Sequence, residues 1–222
     1  MNKLYHYWFS PSSRAIRVLL KEKDIEFELI LELPWARRHE FLVLNPAATV
    51  PVLMQDNGTI LTGSYAIREY LEETGSDTPL MGNTPKERAE IRRLIDWFDI
   101  KFYEEVTSLL ITEKVMKRFL KLGVTEASNI RCAASNIKQH LKYIEYLTER
   151  RNWLGGDNIS YADITAAAHL SCIDYLGDVP WDNFSGAKDW YARIKSRPSF
   201  RPILQDLIAG LPPVRHYKNL DF

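Results

Sequence analysis

Three short stretches near the N-terminus carry groups able to do chemistry. Ser10, Ser12 and Ser13 stand between an aromatic, β-rich run and a helical pattern, which puts them at a helix N-terminus. That end presents unpaired N–H groups and the positive end of the helix dipole, and both stabilise an anion. A hydroxyl there can hold a thiolate by hydrogen bonding and lower its pKa. It can also do no more than cap the helix, as serine does at such positions. Thr49-Val50-Pro51 opens a strand. A cis bond before Pro51 would turn the Val50 backbone outward, free to pair with a peptide-like ligand as an added strand would. The alternative is an ordinary trans proline at a sheet edge. Gly63-Ser64 precedes Tyr65-Ala66-Ile67, so Ser64 reads as a helix cap that can also seat a carboxylate.

The soft ligands point elsewhere. Cys132 and Cys172 lie far apart with no CxxC, so neither a dithiol centre nor a zinc cluster is written locally. Both sit in apolar helical contexts and read as buried, inert thiols. The five histidines, His6, His39, His140, His169 and His216, show no paired ligand spacing. His169, in an Ala-rich stretch, reads as a satisfied core residue. No metal site is expected.

The elements that position these groups follow from periodicity. Lys3 to Trp8 predicts a strand, Pro11 to about Lys23 a helix with Ile16, Leu19 and Leu20 inward and Arg14, Arg17 and Lys21 elsewhere, and Ile25 to Leu31 a second strand. This βαβ unit favours a parallel pair with a right-handed crossover. A short helix from Arg37 to Leu44 follows. Val50 to Met54 and Ile60 to Thr62 flank Asn57-Gly58, a hairpin signal because the turn needs positive φ. Ser64 to Glu73 closes the segment as a helix, ended by Gly75. The order βαβ-α-ββ-α predicts an α/β thioredoxin-like domain over residues 1–76. A Thr/Pro/Gly/Asn-rich linker occupies 77–85.

Strand signals then stop. Long helical patterns run from Lys86 to about Leu122 and from Glu126 to about Arg150, the second with a seam at Ile130, Ala134, Ile137, Leu141 and Ile144. Tyr161 to Leu176 is apolar nearly all round and predicts a buried central helix. Lys188 to Ser196 ends before Pro198. Residues 86–210 are therefore expected to form an all-α domain, with 211–222 as a C-terminal tail.

Composition excludes several function classes. The 222 residues hold 29 Lys+Arg against 29 Asp+Glu, and 45% are hydrophobic, an ordinary globular balance. Zero net charge weakens nucleic acid as a partner. No apolar run is long enough for a membrane span. Met1 to Ser10 shows no export signal, so a cytoplasmic protein is expected. Charge is balanced in each domain but not everywhere: Lys114, Lys117, Arg118 and Lys121 follow one another without an acid after Glu113. That run is a solvated helix face or a docking patch for an acidic partner.

Taken together, the whole chain resembles the glutathione S-transferase superfamily. The resemblance rests on Ser10 with Arg14 to Arg17, Asn45-Pro46, Val50-Pro51 and Ser64-Tyr65-Ala66-Ile67 in the first domain. In the second it rests on Ser160-Tyr161-Ala162-Asp163, Trp190-Tyr191-Ala192-Arg193-Ile194 and Ser196-Arg197-Pro198-Ser199-Phe200. Ser160 and Asp163 fit a capping box at the start of the core helix. The resemblance implies Ser10 as the hydroxyl that stabilises the glutathione thiolate. It implies Val50, beside cis Pro51, as the seat of the cysteinyl backbone and Ser64 as the seat of the γ-glutamyl carboxylate. Glutathione would be a co-substrate, with no tightly bound cofactor, and the protein a homodimer built on the helices between Lys86 and Arg150. The chain departs from the family at Gly63, where members usually carry Glu or Gln. That loss removes a contact of about 0.5–1.5 kcal/mol, more if charged.

A narrower resemblance concerns the end of the chain. Leu211-Pro212-Pro213-Val214-Arg215-His216-Tyr217-Lys218-Asn219-Leu220-Asp221-Phe222, and Trp35 ahead of Arg37 to Leu42, look like the FtsZ-localised protein A group of bacterial cell division. This implies binding to the tubulin-like protein FtsZ through Trp35, His216, Tyr217, Leu220, Asp221 and Phe222, with little or no transferase activity. The terminal segment can also simply dock a chain end onto the domain. Two expectations result: an FtsZ-binding adaptor, or a transferase that adds the glutathione thiolate to electrophiles.

Overall fold

In the computed structural model, which describes residues 1–75 and 79–220, the chain begins as the alternation predicts. Strand β1 (Asn2–His6) leads through a short loop to α1 (Pro11–Glu22), and β2 (Phe27–Leu31) returns parallel to β1 in the register Asn2↔Phe27 to His6↔Leu31. A 3-10 turn (Pro34–Ala36) and α2 (His39–Leu44) follow. Strands β3 (Val52–Met54) and β4 (Ile60–Thr62) form the hairpin, and α3 (Ser64–Glu73) closes the unit. The sheet order is β2-β1-β3-β4, with β3 antiparallel to both neighbours. Both early strands are shorter than expected: the β1–α1 loop already begins at Tyr7, and Ile25 and Glu26 belong to the approach to β2.

Helix α1 starts where its chemistry says it should. Ser10 is the N-cap, its Oγ accepting from the Ser13 N–H at 3.1 Å, and Pro11 occupies the first turn, where a missing N–H costs nothing. Ile16, Leu19 and Leu20 are buried as predicted. The prediction failed for the basic residues: Arg14 and Arg17 are also buried, because the helical part of the molecule covers that face. Arg17 makes a bidentate pair with Asp206 at 2.6 and 2.8 Å. Sequence periodicity sees one buried face, and a helix packed on two sides has two.

The helical part is built around one long rod, a second helix and a buried core helix. The rod runs through α4 (Pro85–Asp96), a π-widened segment (Trp97–Thr107), α5 (Ser108–Ile111), a second π-widened segment (Thr112–Met116) and α6 (Lys117–Leu120). Helix α7 (Ala127–Thr148) buries Ala133, Ile137, His140, Leu141, Ile144 and Leu147; Ala134 is exposed, so the seam passes one residue earlier than expected. Helix α8 (Tyr161–Leu176) is buried from Tyr161 to Tyr175. Side chains such as Ile164, Leu170 and Ile173 each contribute about 1.5–3 kcal/mol there. Helices α9 (Ser185–Lys195) and α10 (Arg201–Leu204) and a 3-10 turn (Arg215–Lys218) complete the chain. α1 packs on α8, which joins the sheet unit to the bundle.

Cys172 is buried, and burial pushes its thiol above the usual range. Cys132 is exposed, contrary to expectation, because it lies on the solvent face of α7 beside the Ala133 seam.

Candidate functional site in the interdomain cleft

A cleft of about 510 Å³ opens between the two parts of the fold. One wall comes from Tyr7, Phe9, Ser10, Ser12, Trp35 and the Ala48–Val50 segment. The other comes from Asp99, Tyr103, Ser108, Thr112 and Met116 of the rod and His169 of α8. Ser10 therefore caps α1 and lines the cleft at once. Its oxygen accepts from the Ser13 N–H, leaving its own proton to donate to an anion in the cleft.

The facing loop is built by Asn45, which is buried. Its Nδ2 donates to the Thr49 C=O at 2.8 Å and to Thr49 Oγ1 at 3.1 Å, while its Oδ1 accepts from the Ala47 N–H at 3.2 Å. These bonds deliver Val50 to the cleft wall. The Val50–Pro51 peptide is cis, and among the described residues no hydrogen bond occupies the Val50 N–H or C=O. The Gly63 N–H donates to the Pro51 C=O at 3.0 Å, which sets the start of α3 beside the proline. Gly63, not Ser64, is the cap residue, with φ of 84°, a region that favours glycine. Ser64 is the first helical residue, its hydroxyl without a hydrogen-bond partner among the described residues, and it stands outside the cleft lining proper.

Sequence reasoning missed the far wall. Asp99 accepts from Arg68 Nη1 and Nη2 at 3.0 and 3.1 Å and bonds His169 Nε2 at 3.1 Å, while His169 Nδ1 meets Thr107 Oγ1 at 3.0 Å. Burial pushes the Asp99 carboxyl up, but the bond to His169 and the charge of Arg68 outweigh it and hold it below the usual carboxylate range. Both ring nitrogens of His169 are engaged, so it is the satisfied core residue expected and has no free nitrogen for base catalysis. Tyr7 is pushed up to about 12, chiefly by burial and next by the Cys172 thiol, so its hydroxyl stays protonated and is available as a donor to a ligand in the cleft. Asp99, Tyr103, Ser108 and Thr112 recur at spacings of four to five, but the rod carries many other polar and charged residues, so the sequence does not single them out. The π-widened turns, with their i→i+5 bonding, bring that wider spacing onto one face.

The other predicted residues separate. Trp35 is 37% exposed and stands edge-on to Tyr7 at 4.9 Å, at the cleft wall. Tyr217 is fully buried, which removes it from the residues able to present a contact surface while the tail is docked. His216 Nε2 bonds Asp174 at 3.0 Å with its side chain partly exposed, and Leu220 packs against the core. Asp221 and Phe222 lie outside the described residues. Asp163 forms the capping box: its carboxylate accepts from the Ser160 N–H at 3.0 Å and from the Ser160 hydroxyl at 2.9 Å. It also accepts from the Leu154 N–H and Trp190 Nε1 at 2.8 and 3.0 Å, so the box ties three segments together. Of the basic run, Lys114 pairs with Asp178 and Lys117 with Glu113, which leaves less free charge than the sequence suggests. Among the described residues no three His, Cys, Asp or Glu side chains converge on a metal-sized site.

The description of the glutathione S-transferase N-terminal domain matches residues 4–79, and that of the glutathione S-transferase C-terminal domain matches residues 111–198. FtsZ-localized protein A of Caulobacter vibrioides is 46% identical over 99% of this chain and 97% of its own length. The solved structure of FzlA from C. crescentus superposes with a TM-score of 0.97 at 45% identity, covering 100% of this chain and 99% of that one. A glutathione S-transferase from Rhodospirillum rubrum F11 superposes with a TM-score of 0.98 at 49% identity, covering both chains fully.

Proposed function

The chain belongs to the glutathione S-transferase family, and from that premise we propose that it is an FtsZ-binding adaptor of cell division with little or no transferase activity. The observation that carries this reading is the 46% identity with FtsZ-localized protein A along essentially the whole of both chains. Trp35, presented at the surface on its edge contact with Tyr7, is the contact residue best supported by geometry. In the tail, the partly exposed His216 and the exposed Lys218 and Asn219 are a second candidate contact region. The adaptor works in the cytoplasm as a homodimer, and the exposed apolar side chains Tyr65 of α3 and Ile100 of the rod suit such an interface.

A second reading rests on the cleft itself. Ser10 keeps a free hydroxyl proton at the positive end of α1, the Val50 backbone is unpaired among the described residues, and the wall opposite mixes Tyr103, Ile111 and Met116 with the polar Asp99, Ser108, Thr112 and His169. These features suit a glutathione thiolate held by Ser10 and a bound electrophile. Gly63 removes a side-chain contact to the γ-glutamyl end, which weakens the reading.

Trp35→Ala should weaken binding of immobilised FtsZ polymers by tenfold or more, the order expected for an exposed aromatic anchor. Unchanged binding by this variant would remove Trp35 from the interface. For the second reading, glutathione conjugation abolished by Ser10→Ala would establish a transferase.

A further inference from the structure

The cleft loop and the C-terminal tail meet on one buried side chain. Arg14 is 0% exposed. Its Nε donates to the Trp8 C=O at 2.7 Å, pinning the loop that carries Phe9 and Ser10 into the cleft. Its Nη1 donates to Ser171 Oγ at 2.9 Å and to the Tyr217 hydroxyl at 3.0 Å. Its Nη2 is buried with no acceptor among the described residues. The Tyr217 hydroxyl in turn donates to the Ile203 C=O at 3.3 Å.

A second, aromatic path runs alongside. Phe9 stands edge-on to Tyr175 at 5.2 Å, and Tyr175 edge-on to Tyr217 at 5.0 Å. The Tyr175 hydroxyl donates to the Leu211 C=O at 2.7 Å and accepts from the Ile208 N–H at 3.2 Å, while the Val214 N–H donates to the Tyr175 C=O at 3.2 Å. The segment from Ile208 to Tyr217 and the Trp8–Ser10 loop thus share their supports.

A buried guanidinium that already lacks one acceptor tolerates the loss of another poorly. Without the Tyr217 oxygen, Nη1 retains only Ser171. The group then turns toward whatever water or acceptor it can reach, and its hold on the Trp8 carbonyl loosens. We propose that Tyr217 is a positioning residue for the Ser10 loop, so that tail docking and cleft geometry are two ends of one coupled element. A partner that draws the tail off the body loosens the cleft, and a small ligand that requires the ordered loop strengthens tail docking by the same factor. This regulatory half rests on the reading that FtsZ engages the tail; the positioning half does not.

The test is amide hydrogen exchange on the full chain. In Tyr217→Phe, exchange across residues 8–14 should accelerate about tenfold or more, as loss of a charge-assisted bond implies, while the core of α8 is unchanged. Unaltered loop exchange, or equal acceleration in α8, would overturn the positioning role. The wild type gives an independent measurement should the variant fail to fold. Under increasing denaturant, residues 8–14 and 211–217 should open together with one denaturant dependence. A tail that opens while the loop stays protected would contradict the coupling. The regulatory half is read separately by adding FtsZ polymers to the wild type. Bound polymers should accelerate loop exchange; binding without that acceleration overturns this half, and no binding overturns the adaptor reading on which it stands.

Discussion

His6 shows how a single buried side chain sets a pH limit. It is 1% exposed, and burial first, then the charges of Arg17 and Arg14, pull its pKa down to about 3. The folded protein keeps His6 neutral, whereas the unfolded chain takes up a proton below about pH 6.5. This contribution to stability is complete above that pH and is lost as the pH falls toward 3, at about 1.4 kcal/mol per unit. Urea denaturation at pH 6.5 and 4.5 should show His6→Phe losing less stability on acidification than the wild type by about that slope; equal losses would refute it. Asp163 is a second case. Its carboxylate serves four donors in a fully buried place, so Asp163→Ala should cost about 3 kcal/mol or more by leaving those donors unpaired. A loss under about 1 kcal/mol would mean that the box is not the tie its geometry describes.

At the scale of elements, Asp99 bridges Arg68 of α3 to His169 of α8 and so joins sheet unit, rod and core helix beside the cleft. The bonds to His169 and Arg68 hold its folded carboxyl low despite burial, so the bridge stabilises above the unfolded carboxylate pKa and fails as the pH falls through the folded one. Asp99→Asn should cost about 3 kcal/mol at neutral pH, because Arg68, 4% exposed, is left without its counter-charge. The loss should shrink in acid, and urea titrations at pH 7 and pH 3 measure both. Much of the element plan was legible in the sequence: β4, α3 and α8 begin and end where turn residues, glycine and apolar pattern place them. Ser10 and Val50 could be named because each sits beside a helix start or strand opening that the sequence marks, whereas Ser64, marked in the same way, stands outside the cleft lining. The far wall could not, because Asp99, Tyr103, Ser108 and Thr112 share a face only through widened helical turns. Burial of Arg14, Arg17 and Tyr217 was invisible for a related reason: each is covered by an element distant in sequence.

Across the whole molecule, the balanced charge excludes a global electrostatic partner, and internal pairing of Lys114 and Lys117 reduces the cationic run on the rod to Arg118 and Lys121. The surface presents Trp35 at the cleft wall and, beyond the buried Tyr217, the exposed Lys218 and Asn219 of the tail. Those features, on a chain so similar along its length to an FtsZ-localized protein, make an adaptor the central claim. Co-sedimentation with assembled FtsZ tests it most directly. The full chain should pellet with the polymers in a saturable way and stay in solution without them. Full-length protein left in the supernatant beside pelleted FtsZ would contradict the claim.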